Sequence, residues 1–349
     1  MKFKRLITVF LMGLVSSTYA QQDSVIRAKS EQEPTYQVFY NDGVTQLENK
    51  KYDIALGLFE QTVNMKSDFE RGHFLKGVAL YNLNKYKEAS ESFNQSIKLL
   101  PTFDAFYYLA QIQLKEKSWE EALTNLTKSI NLKKDYHNAY YTKGVIQFQQ
   151  KDYESAIKSF DSTLMYNQNF GFAYNDRGSA KLELGKLDAA IEDYKIATKK
   201  NPESAYILNN LGSAFRKKGM YLDAILTYDK AISLKNDYTL AYNNRGVAKI
   251  DKGDFQAAID DFNKTLSIEP KYVFAMNNRA NAKNKLKDFQ GALVDCTKAI
   301  EMDPNFGIAY LNRGIAKENL NKLTEACEDW QKALELGVEQ AKSFIEYCH

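Results

Sequence analysis

The sequence predicts an all-α solenoid of nine helix-turn-helix units closed by a C-terminal capping helix, and three regularities predict it. Alanine recurs at Ala55, Ala89, Ala122, Ala156, Ala190, Ala224, Ala258, Ala292 and Ala326, at intervals of 34 residues with a single interval of 33. Twelve positions before each stands another small residue: Gly43, Gly77, Ala110, Gly144, Gly178, Gly212, Gly246, Ala280 and Gly314. Around these markers each unit reads as two amphipathic helices. A fixed period of this length marks stacked units that bury their apolar faces against one another.

The units begin near residues 36, 70, 103, 137, 171, 205, 239, 273 and 307. In the seventh, TLAYNNRGVAKIDKG forms helix A and DFQAAIDDFNKTLSIEPKY forms helix B. Gly253, like Gly185 and Gly219 at the same place, suits the left-handed conformation that ends a helix, and Asp254 is expected to cap helix B. Glycine inside a helix costs about 0.5–1 kcal/mol relative to alanine, so its recurrence at position 8 needs a compensating cause. Close approach of helix A to helix B, over position 8 and the alanine at position 20, is that cause. Large residues surround the contact, with Tyr52, Tyr86 and Trp119 at position 17 and Phe59, Phe93, Phe160, Phe262 and Trp330 at position 24. The short interval removes one residue from the turn before the third unit, where a local perturbation of the stack is expected.

The two ends differ from the repeats. Lys2, Lys4 and Arg5 precede an apolar run from Leu6 to Val15 and a small-residue stretch ending at Ala20, the three parts of a cleavable secretory signal. Residues 1–20 are therefore expected to be removed and the mature chain to be exported, as a periplasmic or secreted protein. The apolar run is far below the roughly 20 residues that span a bilayer. Residues 21–35 are polar and aperiodic, a flexible leader. Residues 341–349, after the repeats of 36–340, are expected to form a capping helix with Ala341, Phe344, Ile345 and Cys348 on one face.

The repeats resemble the tetratricopeptide-repeat family at its defining positions: the 34-residue period, an aromatic at position 4 (Phe39, Phe106, Tyr140, Tyr174, Tyr242, Tyr310), small residues at 8 and 20, and proline at 32 (Pro101, Pro202, Pro270, Pro304). Position 7 departs from the family's leucine, being arginine in several units, and position 32 is Lys134, Gln168 or Asn236 elsewhere. The resemblance covers residues 36–340. It implies a right-handed superhelical solenoid whose A helices line a concave groove, and a non-enzymatic role in gripping an extended or helical segment of another polypeptide. The paired lysine and asparagine with which some members hold a chaperone's terminal carboxylate are absent, because position 5 is never lysine.

Three sets of residues are candidates for the groove and its supports. Asparagine recurs at position 5 (Asn175, Asn209, Asn243, Asn277) and position 6 (Asn210, Asn244, Asn278, Asn312). Side-chain amides donate to and accept from a peptide backbone, and the resemblance to asparagine-ladder members implies that use; the alternative is that they satisfy neighbouring groups of the protein itself. In the first four units aromatics stand at positions 5 and 12: Tyr40, Phe74, Tyr107 and Tyr141, with Tyr81 and Phe148. They suit either a binding surface or packing between adjacent helices. Finally, Arg177, Arg245, Arg279 and Arg313 at position 7 occur only where position 23 is Asp193, Asp261, Asp295 or Asp329. Asp appears only with Arg, which predicts structural ion pairs between helices A and B rather than an anion-binding row.

Cys327 and Cys348 flank the turn at Gly337 at similar distances, level on antiparallel helices, and could form a disulfide in an oxidising compartment; Cys296 occupies core position 24. Sequence chemistry otherwise excludes more than it suggests. His73, His137 and His349 form no metal-ligand spacing, and neither a nucleophile elbow nor a nucleotide-binding motif is present. No cofactor or metal is expected. The formal charge of +3 falls to zero once Lys2, Lys4 and Arg5 are removed, without the basic footprint of a nucleic-acid binder. A protein or peptide partner is expected, with self-assembly into a structural component of the envelope, through homo-oligomer contacts, as the rival class.

Overall fold

The computed structural model of the protein describes residues 35–348. The signal at 1–20, the leader apart from Thr35, and His349 lie outside the described residues. The described chain divides into two compact units, one ending at Gln168 and one beginning at Asn169, and all its regular structure is helical.

The first unit holds α1 (Tyr36–Glu48), α2 (Tyr52–Met65), α3 (Glu70–Asn82), α4 (Tyr86–Leu99), α5 (Phe103–Glu116), α6 (Trp119–Leu132), α7 (His137–Gln149) and α8 (Tyr153–Tyr166). The second holds α9 (Gly171–Glu183), α10 (Leu187–Lys200), α11 (Ala205–Lys217), α12 (Tyr221–Leu234), α13 (Thr239–Lys252), α14 (Phe255–Ile268), α15 (Val273–Lys285), α16 (Phe289–Met302), α17 (Gly307–Asn319) and α18 (Leu323–Glu335), then a 3-10 turn at Glu339–Ala341 and α19 (Lys342–Ile345). Odd-numbered helices up to α17 are the A helices of repeats 1 to 9, and even-numbered ones up to α18 are the B helices. Within each unit a helix A packs on its own helix B, helix B packs on the next helix A, and successive A helices touch. The shortened connection is the turn 100–102 between α4 and α5, one residue shorter than the turn 66–69 between α2 and α3.

Position 8 explains how each hairpin closes. A Cβ added to Gly43, Gly77, Gly144, Gly212 or Gly246 would stand 2.6–2.7 Å from a ring atom of Phe59, Phe93, Phe160, Tyr228 or Phe262 respectively. The glycine makes room for the position-24 ring, and burial of that ring outweighs the propensity lost. Where position 24 is smaller, at Leu126 and Cys296, position 8 is alanine, Ala110 and Ala280. Each repeat thus balances volume across the A–B contact. Cys296→Phe alone is expected to lose about 2 kcal/mol by overpacking against Ala280, and adding Ala280→Gly to recover most of it. Equal urea midpoints for the single and double variants would refute the pairing.

A polar version of the same match appears in repeats 5 and 6. Tyr194 and Tyr228 replace phenylalanine at position 24, and their buried hydroxyls pair with Ser179 Oγ at 2.9 Å and Ser213 Oγ at 3.0 Å. Burial raises both phenols, Tyr228 to about 12.

The A–B turns use the left-handed conformation, with φ of 73° at Gly185, 82° at Gly219 and 97° at Gly253. Asp254 departs from expectation: its side chain makes no capping bond to α14 and instead accepts from Lys252 Nζ at 2.6 Å. A nearby ammonium competes for the carboxylate. Asp152 and Asp288 cap α8 and α16, accepting from Ser155 N at 3.2 Å and Gly291 N at 2.9 Å.

The C-terminal segment is shorter in helix than 341–349 predicts. It comprises the 3-10 turn and the four residues of α19, with Phe344 against Trp330 at 5.1 Å between ring centroids and Ala341 fully buried. So short a helix is not stable by itself; its position depends on what ties it down.

Candidate functional site

The asparagines of the second unit are bonded in pairs, each pair joining one repeat to the next. Asn210 Nδ2 donates to Asn175 Oδ1 at 3.0 Å, Asn244 to Asn209 at 3.0 Å, Asn278 to Asn243 at 3.1 Å and Asn312 to Asn277 at 2.8 Å. Within repeats, Asn175 Nδ2 donates to Asp176 Oδ1 at 2.8 Å and Asn243 Nδ2 to Asn244 Oδ1 at 3.4 Å. Position 6 of one A helix therefore reads position 5 of the A helix before it.

This geometry divides the eight asparagines. Asn175, Asn209, Asn243, Asn277 and Asn312 are buried, while Asn210, Asn244 and Asn278 are half-buried. The buried five do not line an open surface, a correction with a clear cause: a buried amide without a partner costs about 1–3 kcal/mol, so it is held by its neighbours. The three half-buried amides each give one N–H to the preceding repeat. A carboxamide has a second N–H and an oxygen with two lone pairs, so each retains a donor and acceptor capacity for a ligand.

The aromatic candidates also separate. Tyr40, Phe74 and Tyr107 belong to the core of the first unit, not to an open groove. Phe74, 0% exposed, lies between Phe93 of its own helix B and Tyr108 of the next helix A, both at 5.7 Å. Tyr40 meets Phe69 at 5.1 Å, and Tyr107 meets Tyr136 at 5.1 Å. Burial pushes the Tyr107 hydroxyl up to about 12 despite its hydrogen bond with Thr142. A ring at position 5 fits between successive A helices as readily as an amide does. Tyr81, Tyr141 and Phe148 are half-buried and pack on Tyr86, Phe160 and Tyr153 at 5.7, 5.8 and 5.3 Å.

Each position-7 arginine grips the position-23 aspartate of its own repeat through Nε and Nη2: Arg177 with Asp193 at 2.9 and 2.6 Å, Arg245 with Asp261 at 2.9 and 2.5 Å, Arg279 with Asp295 and Arg313 with Asp329, both at 2.8 and 2.6 Å. A lysine completes each set. Lys181, Lys249, Lys283 and Lys317 at position 11 place Nζ 2.7–2.8 Å from the same carboxylates. These lysines escaped the sequence reading, although position 11 is lysine only in the repeats that carry Arg and Asp. Arg245 Nη1 also reaches Asp229 at 2.6 Å, and Arg279 Nη1 reaches Asn263 at 2.7 Å, both on the preceding helix B. Tyr174, Tyr242 and Tyr310 at position 4 lie 5.3 Å from their repeat's guanidinium.

Cys327 and Cys348 are joined by a disulfide, with a Cα–Cα distance of 5.8 Å, which ties the terminal segment to α18. Cys296 is a buried thiol raised to about 12, chiefly by burial. Among the described residues, no group of three or more His, Cys, Asp or Glu side chains could hold a metal ion, and no helix is long and apolar enough to cross a membrane. His73 Nε2 lies 2.9 Å from Ser67 O, and His137 Nε2 lies 3.2 Å from Asn167 Nδ2.

Comparison with known proteins agrees with this repeat architecture. Family models described as tetratricopeptide repeat match residues 137–169, 175–239, 239–272, 273–306 and 296–328, and one described as anaphase-promoting complex, cyclosome, subunit 3 matches 48–129. The tetratricopeptide matches together span more than half of the sequence, and the chain belongs to the tetratricopeptide-repeat family. No curated protein matches the sequence. Among solved structures, a tetratricopeptide repeat protein from Parabacteroides merdae is 20% identical, with 70% of this chain and 98% of that chain covered and a TM-score of 0.59. The C-terminal part of a repeat-containing protein from Cytophaga hutchinsonii is 18% identical, covering 68% and 98%, with a TM-score of 0.54. Yeast Tom70 is 15% identical, covering 90% and 88%, with a TM-score of 0.51. At these identities the likeness is one of fold, a superhelical stack of helical hairpins.

Proposed function

We propose that the protein is a non-enzymatic scaffold that holds a segment of another polypeptide along the A helices of its second unit. The row of Asn210, Asn244 and Asn278 carries this reading, because each amide is oriented by the preceding repeat and keeps hydrogen-bonding capacity suited to a peptide group. The protein works after export. The basic, apolar and small-residue stretches of residues 1–20 support this, as does a disulfide of a kind that persists in oxidising compartments.

Asn244→Ala with Asn278→Ala is expected to weaken partner binding about tenfold, the loss of roughly one net hydrogen bond's free energy or a little more. The same change leaves Asn209 Oδ1 and Asn243 Oδ1 without their inter-repeat donors, so a stability loss of about 1–3 kcal/mol per site accompanies it. Binding is therefore compared where circular dichroism shows both proteins folded. In-cell crosslinking read by mass spectrometry checks the outcome: undiminished partner recovery would exclude the amide row as the contact. A protein that stays monomeric in light scattering at high concentration would remove the self-assembling alternative.

A further inference from the structure

Beside the amide row runs a second row that differs between the units. Position 2 of the A helices is Phe172, Tyr206, Leu240, Phe274 and Ile308 in repeats 5 to 9. Positions 2 and 6 lie one helical turn apart on the same helix face, so a largely apolar edge flanks the position-6 asparagines in repeats 6 to 9, while in repeat 5 Phe172 stands beside Asp176. Four of these side chains are half-buried, and Phe274 is 40% exposed, its ring set edge-on against Phe306 at 5.2 Å. From Tyr206 to Asn312 neither row carries a formal charge. The cations at positions 7 and 11 of these helices do not alter this, because Arg245, Arg279, Arg313 and their companion lysines are held by aspartates of helix B, and Arg216, at the far end of α11 from both rows, pairs with Asp251.

The first unit lacks both rows. Position 2 there is Gln37, Arg71, Asp104 and Asn138, and Arg71 Nη1 pairs with Asp104 Oδ2 at 2.8 Å. Position 6 is occupied in repeats 2 to 4 by the buried Leu75, Tyr108 and Thr142.

We infer that the ligand of the second unit is an extended, uncharged segment with apolar side chains, its backbone paired with Asn210, Asn244 and Asn278 and its side chains laid on the Tyr206–Ile308 edge. This rests on the groove reading above and narrows it. The chemistry favours such a segment on two counts. An amide offers a donor and an acceptor side by side, which matches a peptide group left open in an extended chain but not one already bonded within a helix. A charged side chain entering between two neutral rows would lose water without gaining a counter-ion.

The test uses the full mature chain and three short fluorescein-labelled peptides: one alternating Val or Leu with Ser or Thr, the same peptide N-methylated at alternate amides, and one with Lys and Glu in place of the apolar residues. Anisotropy is expected to show binding of the first, and at least a tenfold weaker affinity for the other two. Phe274→Asp should weaken the first peptide about tenfold, while Phe274→Leu, which keeps the apolar edge, should bind nearly as the parent; melting curves show both variants folded. Equal binding of the charged peptide, indifference to N-methylation, or an unchanged affinity in Phe274→Asp would overturn the inference. Failure of the broader reading looks different: cellular crosslinks would then fall away from the second unit's A helices, whereas crosslinks on those helices with no binding of the apolar peptide would reject the ligand class alone.

Discussion

Asp261→Ala is expected to destabilise the second unit by about 3 kcal/mol. The Asp261 carboxylate receives Arg245 Nε, Arg245 Nη2 and Lys249 Nζ within 2.9 Å and is itself almost fully buried. Removing it leaves two cations, each only 18% exposed, facing one another without the anion between them. Breaking a buried pair from one side costs about 3–5 kcal/mol; partial exposure of the cations, and the bond that Arg245 keeps with Asp229 at 2.6 Å, put this case at the lower end. Repeat 6 supplies the control, since it carries Leu211, Phe215 and Thr227 at the three positions. Transplanting that set as Arg245→Leu, Lys249→Phe and Asp261→Thr should cost far less than Asp261→Ala, because no charge is left buried without a partner. Urea unfolding of the three proteins decides the matter, and similar losses in both variants would sink the explanation.

Loss of the Cys327–Cys348 bond should have the next largest effect. The disulfide spans a sequence separation of 21 residues, and closing a loop of that size contributes roughly 3 kcal/mol in the chain-entropy model. The segment it holds contains only a 3-10 turn and a one-turn helix, yet Phe344, Ile345, Val338 and Ala341 cover Trp330 and Leu334. Cys348→Ser is therefore expected to release the terminal segment and increase hydrogen exchange in α18, with a red shift of Trp330 fluorescence. The other tryptophan, Trp119, lies in the first unit and should report no change there. Exchange in α18 equal to that of the parent protein would show that packing alone retains the segment.

The repeat boundaries were legible because one constraint recurs nine times: the small residues at positions 8 and 20 fix the A–B contact, and the helices begin at Tyr36, Glu70, Phe103 and onward at the residues that spacing marks. The Arg–Asp pairing was legible for a related reason, since Thr227 opposite Leu211 shows both partners missing together. Lys181, Lys249, Lys283 and Lys317 carried the same signal at position 11 and needed only the same comparison. Side-chain direction was harder to read. Asn243 and Asn244 are adjacent and chemically identical, yet one is buried between A helices and the other half-buried, a difference that depends on the angle between successive repeats. Phe74 and Tyr107 illustrate the same limit, because a ring at position 5 satisfies an interface or a core equally well until the neighbouring helix is placed. The apolar edge at position 2 is not legible residue by residue, because Phe172, Leu240 and Ile308 look like ordinary core residues when taken singly.

The volume match across each hairpin has a consequence for how such a chain can change over generations. Gly246 fits Phe262, Ala280 fits Cys296 and Ser213 fits Tyr228, so the two helices of one repeat are matched to each other residue by residue. Recombination that joined helix A of repeat 7 to helix B of repeat 8 would leave a void beside Cys296, and the reverse exchange would force Ala280 against Phe262. Between repeats 5 and 9 the junctions are written differently, with asparagine meeting asparagine at every step. A seam built from one residue type accepts many neighbours. The heritable module in this region is thus the whole hairpin, and duplication or loss of complete repeats can alter the length of the asparagine row while the interior of each hairpin passes on intact.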